Sequence, residues 1–128
     1  MIVVDSSVWI DNLRKVESSA VLKLRRIRPV EVLVGDIILF EVLRGARDDR
    51  HASKLETYLR HFAVVSILTP GLAPSAAQYD RKLRSLGITI RKPHDILIGA
   101  FCIDHDHLLL QYDRDFVPMA VHLGLRLA

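Results

Sequence analysis

Four acidic residues of this sequence lie in or beside apolar segments, where a protein core would not place them. Asp5 and Asp113 each follow an apolar run that predicts a buried strand. Glu41 interrupts an otherwise apolar helical segment, and Asp95 opens another. Burying a charged carboxylate is unfavourable by several kcal/mol unless the charge is paired or bound to a metal. These four residues are therefore candidates for chemistry rather than for packing.

Each acid also has an ordinary structural interpretation. Asp5 and Asp113 can serve as helix or loop caps, and Asp95 complements the dipole in the first turn of its helix. Glu41 can form an ion pair with Arg44, three residues further along the same helix. Only a common location of all four acids favours chemistry over these separate roles.

Strand and helix patterns alternate along the chain and predict where the acids lie. Apolar runs predict strands at residues 2–4, 31–34, 63–67, 108–111 and 124–127. Helical spacing predicts helices at residues 8–13, 18–27, 37–44, 48–61, 75–86, 93–104 and 116–120. We expect an α/β fold, a three-layer α/β/α sandwich with a central, mostly parallel sheet. With 128 residues, the chain is expected to form one domain over residues 1–128.

The strands of a parallel sheet all end at one edge, and α/β proteins bind ligands along that edge. Two strand ends and two helix starts would bring the four acids there. Two carboxylates about 4 Å apart repel by roughly 4 kcal/mol at an effective dielectric of 20, so four together need protons or a cation. Oxygen ligands select Mg²⁺, or Mn²⁺, rather than zinc. A pair of such ions held by carboxylates is a device for hydrolysing phosphodiesters.

The charge of the chain fits a polyanionic substrate. The net charge is +3 and the pI is about 9.3. Arginine, which outnumbers lysine thirteen to five, is well suited to bidentate phosphate contacts. Basic residues form three clusters, at Lys23/Arg25/Arg26/Arg28, Arg81/Lys82/Arg84 and Arg91/Lys92. An acidic metal centre flanked by such clusters indicates a nuclease.

The acids of this sequence are compatible with two other kinds of site. Asp104, His105, Asp106 and His107 alternate the residue types of a transition-metal site, but they fall at a predicted helix end, where histidine also complements the dipole. A phospho-acceptor receiver domain gathers acids at the same sheet edge. It would pair adjacent acids after the first strand, whereas this strand delivers the single acid Asp5.

The cysteine content and the apolar runs bear on the compartment. Cys102 is the one cysteine, so no disulfide forms within the chain, and a reducing compartment is indicated. The longest apolar run, residues 96–103, is too short to span a bilayer. The N-terminal apolar run has no basic segment before it and does not read as a signal peptide. We expect a cytoplasmic protein with no membrane partner.

Four segments, residues 3–10, 39–45, 94–100 and 113–116, resemble the four acidic motifs of the PIN-domain family, in particular those of VapC-type toxins. The resemblance covers the whole chain, with the motifs in order and at the usual separations. It implies a Mg²⁺-dependent endoribonuclease that cleaves RNA, forms a homodimer and is held inactive by a VapB-like antitoxin. The alternative is a catalytically silent PIN-like module that binds RNA or protein without cutting.

The same resemblance assigns the site residues by motif position. It implies an acidic quartet that is both catalytic and metal-binding: Asp5, Glu41, Asp95 and Asp113. Asp115 is a candidate fifth acid, although its place before Phe116 also predicts an N-cap for the last helix. Gln111 stands where many relatives carry Thr or Ser, so Ser7 is the remaining candidate hydroxyl. Ser7 and Ser6 also predict an N-cap for a helix beginning near Val8.

Overall fold

The sheet of this protein is entirely parallel. The computed structural model describes residues 1–128 and contains five strands. The strands are β1 (Ile2–Val4), β2 (Val32–Gly35), β3 (Ala63–Val65), β4 (Leu108–Leu110) and β5 (Arg126–Leu127). Their order across the sheet is β3-β2-β1-β4-β5, and every neighbouring pair is parallel. The first strand of the chain is therefore the central strand of the sheet.

Seven helices flank the sheet. They are α1 (Ser6–Leu13), α2 (Ser19–Arg26), α3 (Asp36–Arg44), α4 (Asp49–Leu59), α5 (Leu72–Ser85), α6 (Pro93–His105) and α7 (Val117–Leu123). Helices α1 to α4 connect β1, β2 and β3 and pack against one another, and α5 packs against α6 and α7. Because parallel crossovers are right-handed, reversal of the strand order at β1 puts these two sets on opposite faces. The predicted three-layer α/β/α sandwich is confirmed.

The core lies on both faces of the three central strands. Val3, Val4, Leu109 and Leu110 are at most 1% exposed, as expected for apolar strands of a parallel sheet covered on both sides. They belong to one cluster of 28 buried apolar residues. Burial on both faces explains why these strands read as continuous apolar runs and why an acid at their ends stands out.

Helix α6 approaches α7 closely through Gly99. A side chain at Gly99 would collide with the sulfur of Met119, which is fully buried. This contact fixes α6, which carries Asp95, relative to the turn that leads from β4 into α7. The same helix starts at the carboxyl edge of the sheet and ends at the opposite edge.

Several element boundaries differ from the prediction. The first helix begins at Ser6, so Asp5 rather than a serine occupies its N-cap position. Short 3-10 turns at Pro29–Glu31 and Arg114–Phe116 were not predicted. The predicted strand at residues 63–67 ends at Val65. No helix of this chain combines the length and apolar character that a membrane crossing requires.

Candidate functional site

The two strand-end acids lie at the point where the strand order of the sheet reverses. Strands β1 and β4 are neighbours in register, with Val4 opposite Leu110. The backbone N–H of Asp5 continues this ladder by donating to the carbonyl oxygen of Leu110 at 3.0 Å. Asp5 and Asp113 thus leave adjacent strands at the crevice where open α/β sheets bind ligands.

Asp5 is buried and is held by the hydroxyl that follows it. Its side chain is packed at the N-cap of α1 but makes no capping hydrogen bond to the helix. Instead, Ser7 Oγ donates to Asp5 Oδ2 at 2.7 Å. Burial raises the pKa of Asp5, an effect that the Ser7 hydrogen bond opposes and the nearby charge of Asp113 reinforces. Ser7 is therefore a positioning hydroxyl for the first carboxylate.

Glu41 reaches the same edge from α3, where its side chain contacts Ser6 and His94. Ser6 Oγ donates to Glu41 Oε2 at 3.2 Å, and His94 Nε2 lies 3.2 Å from the same oxygen. Glu41 Oε1 is buried without a hydrogen-bond partner. The alternative interpretation, an ion pair with Arg44, is not observed, and the Arg44 guanidinium instead lies over the ring of Phe40. Burial raises the pKa of Glu41 although the charge of His94 opposes the shift.

Asp95 is the most deeply enclosed of the helix-borne acids. It lies in the first turn of α6 and is 4% exposed. Its Oδ2 atom has no hydrogen-bond partner, and His94 Nε2 lies 3.6 Å from its Oδ1 atom. Burial, followed by the charge of Asp5, raises the pKa of Asp95 to about 6. A helix-dipole role does not account for a buried carboxylate that has one oxygen without a hydrogen-bond partner.

The capping role that the sequence predicted for Asp115 belongs to Asp113, which caps a different turn. Asp113 Oδ1 accepts a hydrogen bond from the backbone N–H of Asp115 at 2.9 Å and caps the turn Arg114–Phe116. Asp115 forms no cap, and helix α7 has no side-chain cap at all. The prediction that Asp115 caps this helix was therefore wrong. Asp115 Oδ2 is buried without a hydrogen-bond partner.

Three of these acids form a group that can hold a cation. One carboxylate oxygen from each of Asp95, Asp113 and Asp115 lies within 4.8 Å of the others. Asp95 and Asp115 each have a buried carboxylate oxygen without a hydrogen-bond partner. An all-oxygen donor set with unsatisfied, buried carboxylates fits a hard divalent ion such as Mg²⁺ or Mn²⁺. Glu41 is linked to this group through His94, which contacts both Glu41 and Asp95.

One lysine and one arginine side chain lie at the rim of this group of acids. Lys92 Nζ lies 3.8 Å from Asp113 Oδ2, and Arg91 Nε lies 3.7 Å from Asp115 Oδ2. Both basic side chains are more than half exposed. They can balance part of the negative charge and still contact a phosphate from solvent.

Sequence reasoning missed His94 and Ser6. His94 lies directly before Asp95, inside a motif that was noted for its acid alone. Ser6 was assigned to helix capping, because Ser and Thr hydroxyls favour N-caps. A signal was available for Ser6, since two hydroxyls beside a strand-end acid exceed what one cap requires. Gln111, at the position where a hydroxyl was absent, has a buried amide oxygen without a partner.

The alternating Asp-His segment at the end of α6 does not converge on one point. Asp104 accepts hydrogen bonds from Ser75 and Tyr79, and Asp106 pairs with Arg126 at 2.8 Å. The backbone of Asp106 is left-handed, with φ of 57°. The transition-metal alternative therefore finds no support in this geometry.

The fold and the site define an α/β protein with an acidic centre at the switch point of a parallel sheet. This chain belongs to the PIN domain family, because the family model matches residues 2–121. It is similar to VapC ribonuclease Mb1587 of Mycobacterium bovis and to ribonuclease VapC11 of Mycobacterium tuberculosis. Each is 30% identical over 131 residues, and each alignment covers 100% of this chain and 98% of the relative.

Solved structures share the fold. VapBC2 from Rickettsia felis, bound to a DNA fragment from its promoter, superposes with a TM-score of 0.80 at 17% identity, covering 100% of this chain and 98% of that one. FitAcB from Neisseria gonorrhoeae gives a TM-score of 0.78 at 19% identity, covering 99% and 96%. A toxin-antitoxin complex from Klebsiella pneumoniae gives 0.66 at 19% identity, covering 91% and 90%.

Proposed function

We propose that this chain is a Mg²⁺-dependent endoribonuclease, formed by one domain over residues 1–128, and the toxin of a toxin–antitoxin pair. The observation that carries the proposal is the group of buried carboxylates at the switch point of the sheet, three of which lie within 4.8 Å of one another. The full-length similarity to proteins named VapC ribonucleases supports RNA as the substrate.

The metal site in this proposal comprises Asp5, Glu41, Asp95 and Asp113, with Asp115 as an added ligand. Asp115 joins the set because one of its carboxylate oxygens lies within 4.8 Å of oxygens of Asp95 and Asp113. Bound Mg²⁺, or Mn²⁺ in its place, would neutralise these carboxylates, activate water and stabilise charge on the leaving oxygen. The number of carboxylates exceeds what one ion needs and is compatible with two.

The other side chains of the site orient the carboxylates and hold the substrate. Ser7 and Ser6 fix Asp5 and Glu41 by hydrogen bonds of 2.7 and 3.2 Å, so their ligand oxygens are preorganised. Arg91 and Lys92 are exposed beside the acids and contact the phosphates that flank the cleaved bond. Such contacts carry no sequence information and position the RNA chain only.

The test is metal-dependent cleavage of single-stranded RNA by the purified protein. Cleavage should require Mg²⁺ or Mn²⁺, stop with a chelator, and leave 5′-phosphate and 3′-hydroxyl ends, because attack by water needs no 2′-hydroxyl. Asp95→Asn, purified in parallel, excludes a contaminating nuclease. Ends carrying a 2′,3′-cyclic phosphate would contradict the proposal. Binding of RNA without any cleavage would instead favour the silent PIN-like module.

The partner in this proposal is a VapB-like antitoxin whose basic segment reaches the carboxylates. An arginine or lysine placed there would displace the metal and occlude RNA, since the site concentrates negative charge. Expression of the chain alone should slow growth, and co-expression with the antitoxin encoded beside it should restore growth. Equal growth with wild type and Asp5→Asn would contradict toxicity. Sedimentation of the purified chain tests the expected homodimer.

A further inference from the structure

Tyr112 lies directly beside the carboxylate site but has no part in the metal chemistry. It connects the end of β4 to Asp113 and is 50% exposed. Three aromatic side chains are exposed, those of Phe40, Tyr58 and Tyr112. The ring of Phe40 lies under the Arg44 guanidinium and that of Tyr58 packs against other rings, whereas Tyr112 has no aromatic or guanidinium partner and can contact a ligand.

The hydroxyl of Tyr112 is tied to helix α1. Tyr112 Oη donates to Asp11 Oδ2 at 2.7 Å and lies 3.4 Å from the carbonyl oxygen of Ser7. Ser7 is the residue whose hydroxyl holds Asp5. The ring therefore bridges the two neighbouring elements that deliver Asp5 and Asp113, and its orientation is fixed before any ligand arrives.

A fixed, half-exposed aromatic ring has one chemical use that suits this place. Unpaired nucleobases stack on tyrosine rings, and the stacking tolerates any base because each base has a π-face. A tyrosine with few rotatable bonds loses little entropy when it makes such a contact. The exposed cations of Lys92 and Arg91 lie beside the acids and supply the accompanying phosphate contacts.

We infer that the ring of Tyr112 is a stacking surface for an unpaired nucleobase of the RNA, next to the bond that the carboxylate site cleaves. The inference rests on the proposed function for its substrate and adds the first residue that contacts a base rather than a phosphate. The site then selects single-stranded RNA, because a base held in a duplex cannot leave its stack to reach the ring.

Affinity for RNA tests the inference without requiring cleavage. Fluorescence anisotropy measures binding of short single-stranded RNA of randomised sequence to protein carrying Asp95→Asn, in the absence of divalent metal. On this background, Tyr112→Leu should weaken binding roughly five- to hundredfold, the range for losing one stacked base. Tyr112→Trp and Tyr112→Phe both keep an aromatic face but lose the hydroxyl that bonds to Asp11, so both should bind more tightly than Tyr112→Leu and no more tightly than the parent.

Tyr79→Phe is the matched control. Tyr79 also donates to an aspartate, Asp104, at 2.6 Å, but that bond joins α5 to α6 at the far end of α6. Its loss should leave RNA affinity unchanged. A second probe is RNA in which every base is replaced by an abasic ribose, for which Tyr112→Leu and the parent should bind equally. Circular dichroism and thermal melting verify that each variant is folded.

Three results would overturn the inference. The first is equal RNA affinity of the Leu, Phe and Trp variants of Tyr112. The second is unchanged RNA affinity of Tyr112→Leu together with weakened binding of the antitoxin or of a second copy, which would assign the ring to a protein partner. The third is a loss of affinity in Tyr112→Leu that is as large for abasic RNA as for RNA with bases. If the wild type cleaves RNA and the Tyr112 variants bind RNA as tightly as the parent does, this inference alone is refuted. If RNA binding depends on the Tyr112 ring but the wild type does not cleave RNA, the proposed function alone is refuted.

Discussion

The two ends of helix α6 carry acids of the same type in opposite surroundings. At its start, Asp95 is 4% exposed and one of its oxygens has no partner. At its end, Asp104 accepts hydrogen bonds of 2.6 Å from both Ser75 and Tyr79, and the 87% exposed Asp106 pairs with Arg126. The acids at the end of the helix are satisfied by protein or water. The acid at the start is not, because its Oδ2 atom is buried without a hydrogen-bond partner, and a carboxylate in these surroundings needs a proton or a cation.

The comparison shows what separates a functional cluster of acids from a structural one. The density of carboxylates along the sequence does not separate the two kinds of cluster, because Asp104 and Asp106 are closer in sequence than Asp95 is to any other acid of the site. Burial combined with oxygens that lack a hydrogen-bond partner does separate them. It occurs only at the edge of the sheet where strands β1 and β4 end.

The largest expected effect separates the two ends of α6 directly. Asp95→Asn should reduce RNA cleavage by more than about a hundredfold, because loss of a residue supporting a ligand already removes ten- to hundredfold and loss of a ligand removes more. Asp104→Asn should change the rate less than about twofold. Initial rates at saturating Mg²⁺, well below the melting temperature, measure both. Similar rates for the two variants would remove the distinction.

The next effect concerns the fifth acid. Asp115→Asn should lower the cleavage rate by roughly ten- to hundredfold, because it weakens one of three neighbouring oxygen ligands without removing the cap that Asp113 provides. Asp106→Asn, at the exposed end of α6, serves as the matched control and should cleave at the wild-type rate. Wild-type activity of Asp115→Asn would limit the site to the four acids of the motifs.

A third effect is the pH dependence of stability without metal. The pKa of Asp95 is raised to about 6 in the folded state, so the folded protein holds this proton more tightly than the unfolded chain does. The stabilisation of the folded state by the proton on Asp95 is complete below about pH 4 and is lost as the pH rises through about 6. Relative to Asp95→Asn, metal-free wild type should lose about 3 kcal/mol over this range, since one pKa unit corresponds to about 1.4 kcal/mol.

Urea unfolding at several pH values, with a chelator present, measures this difference. The raised pKa values of Asp5 and Glu41 act in the same direction, so the wild-type loss has contributions from all three acids. Saturating Mg²⁺ should reverse the loss by binding only the folded state. Asp104→Asn should follow wild type. A pH dependence identical in Asp95→Asn and wild type would show that this carboxyl is not destabilised by burial.

The smallest expected effect is the loss of stability when the capping hydrogen bond of Asp113 is removed. Asp113→Ala should lower the free energy of unfolding by about 1 kcal/mol through loss of the bond to the Asp115 N–H, whereas Asp113→Asn keeps an accepting oxygen and should lose little. Both should be inactive. Asp48→Ala, which removes a similar cap at α4, should lose comparable stability and remain active. Equal stability of the two Asp113 variants would contradict the capping role.

Much of the fold was predictable because local patterns and topology agree. Apolar runs such as that around Val4 read as buried strands, and alternation with helices implied the parallel sheet that is observed. The placement of Asp5 and Asp113 at one edge followed from the strand ends alone. The boundaries at Ser6 and Val65 were missed because hydrogen bonding at element ends depends on neighbouring strands and helices rather than on local sequence.

The details of the site were less accessible. The contact of His94 with Glu41 joins α6 to α3, and no local pattern encodes a pairing between side chains that distant in sequence. The capping error arose because Asp113 and Asp115 offer the same chemistry two residues apart. Only the backbone of the turn decides which carboxylate faces an N–H group. The closeness of Asp95 and Asp113 was predictable, whereas the individual partners of the acids were not, and a site shared by all four predicted acids stays a prediction.

The position of β1 in the middle of the sheet determines when the site can exist during synthesis. The ribosome makes Asp5 first, yet the strand beside it, β4, follows Asp95 in the chain. A nascent chain that ends before β4 therefore lacks Asp113 and Asp115 and leaves one side of β1 unpaired. The carboxylates meet only after most of the polypeptide has emerged, since non-local parallel pairing forms late. The group of Asp95, Asp113 and Asp115 therefore cannot form until nearly the whole chain has been made.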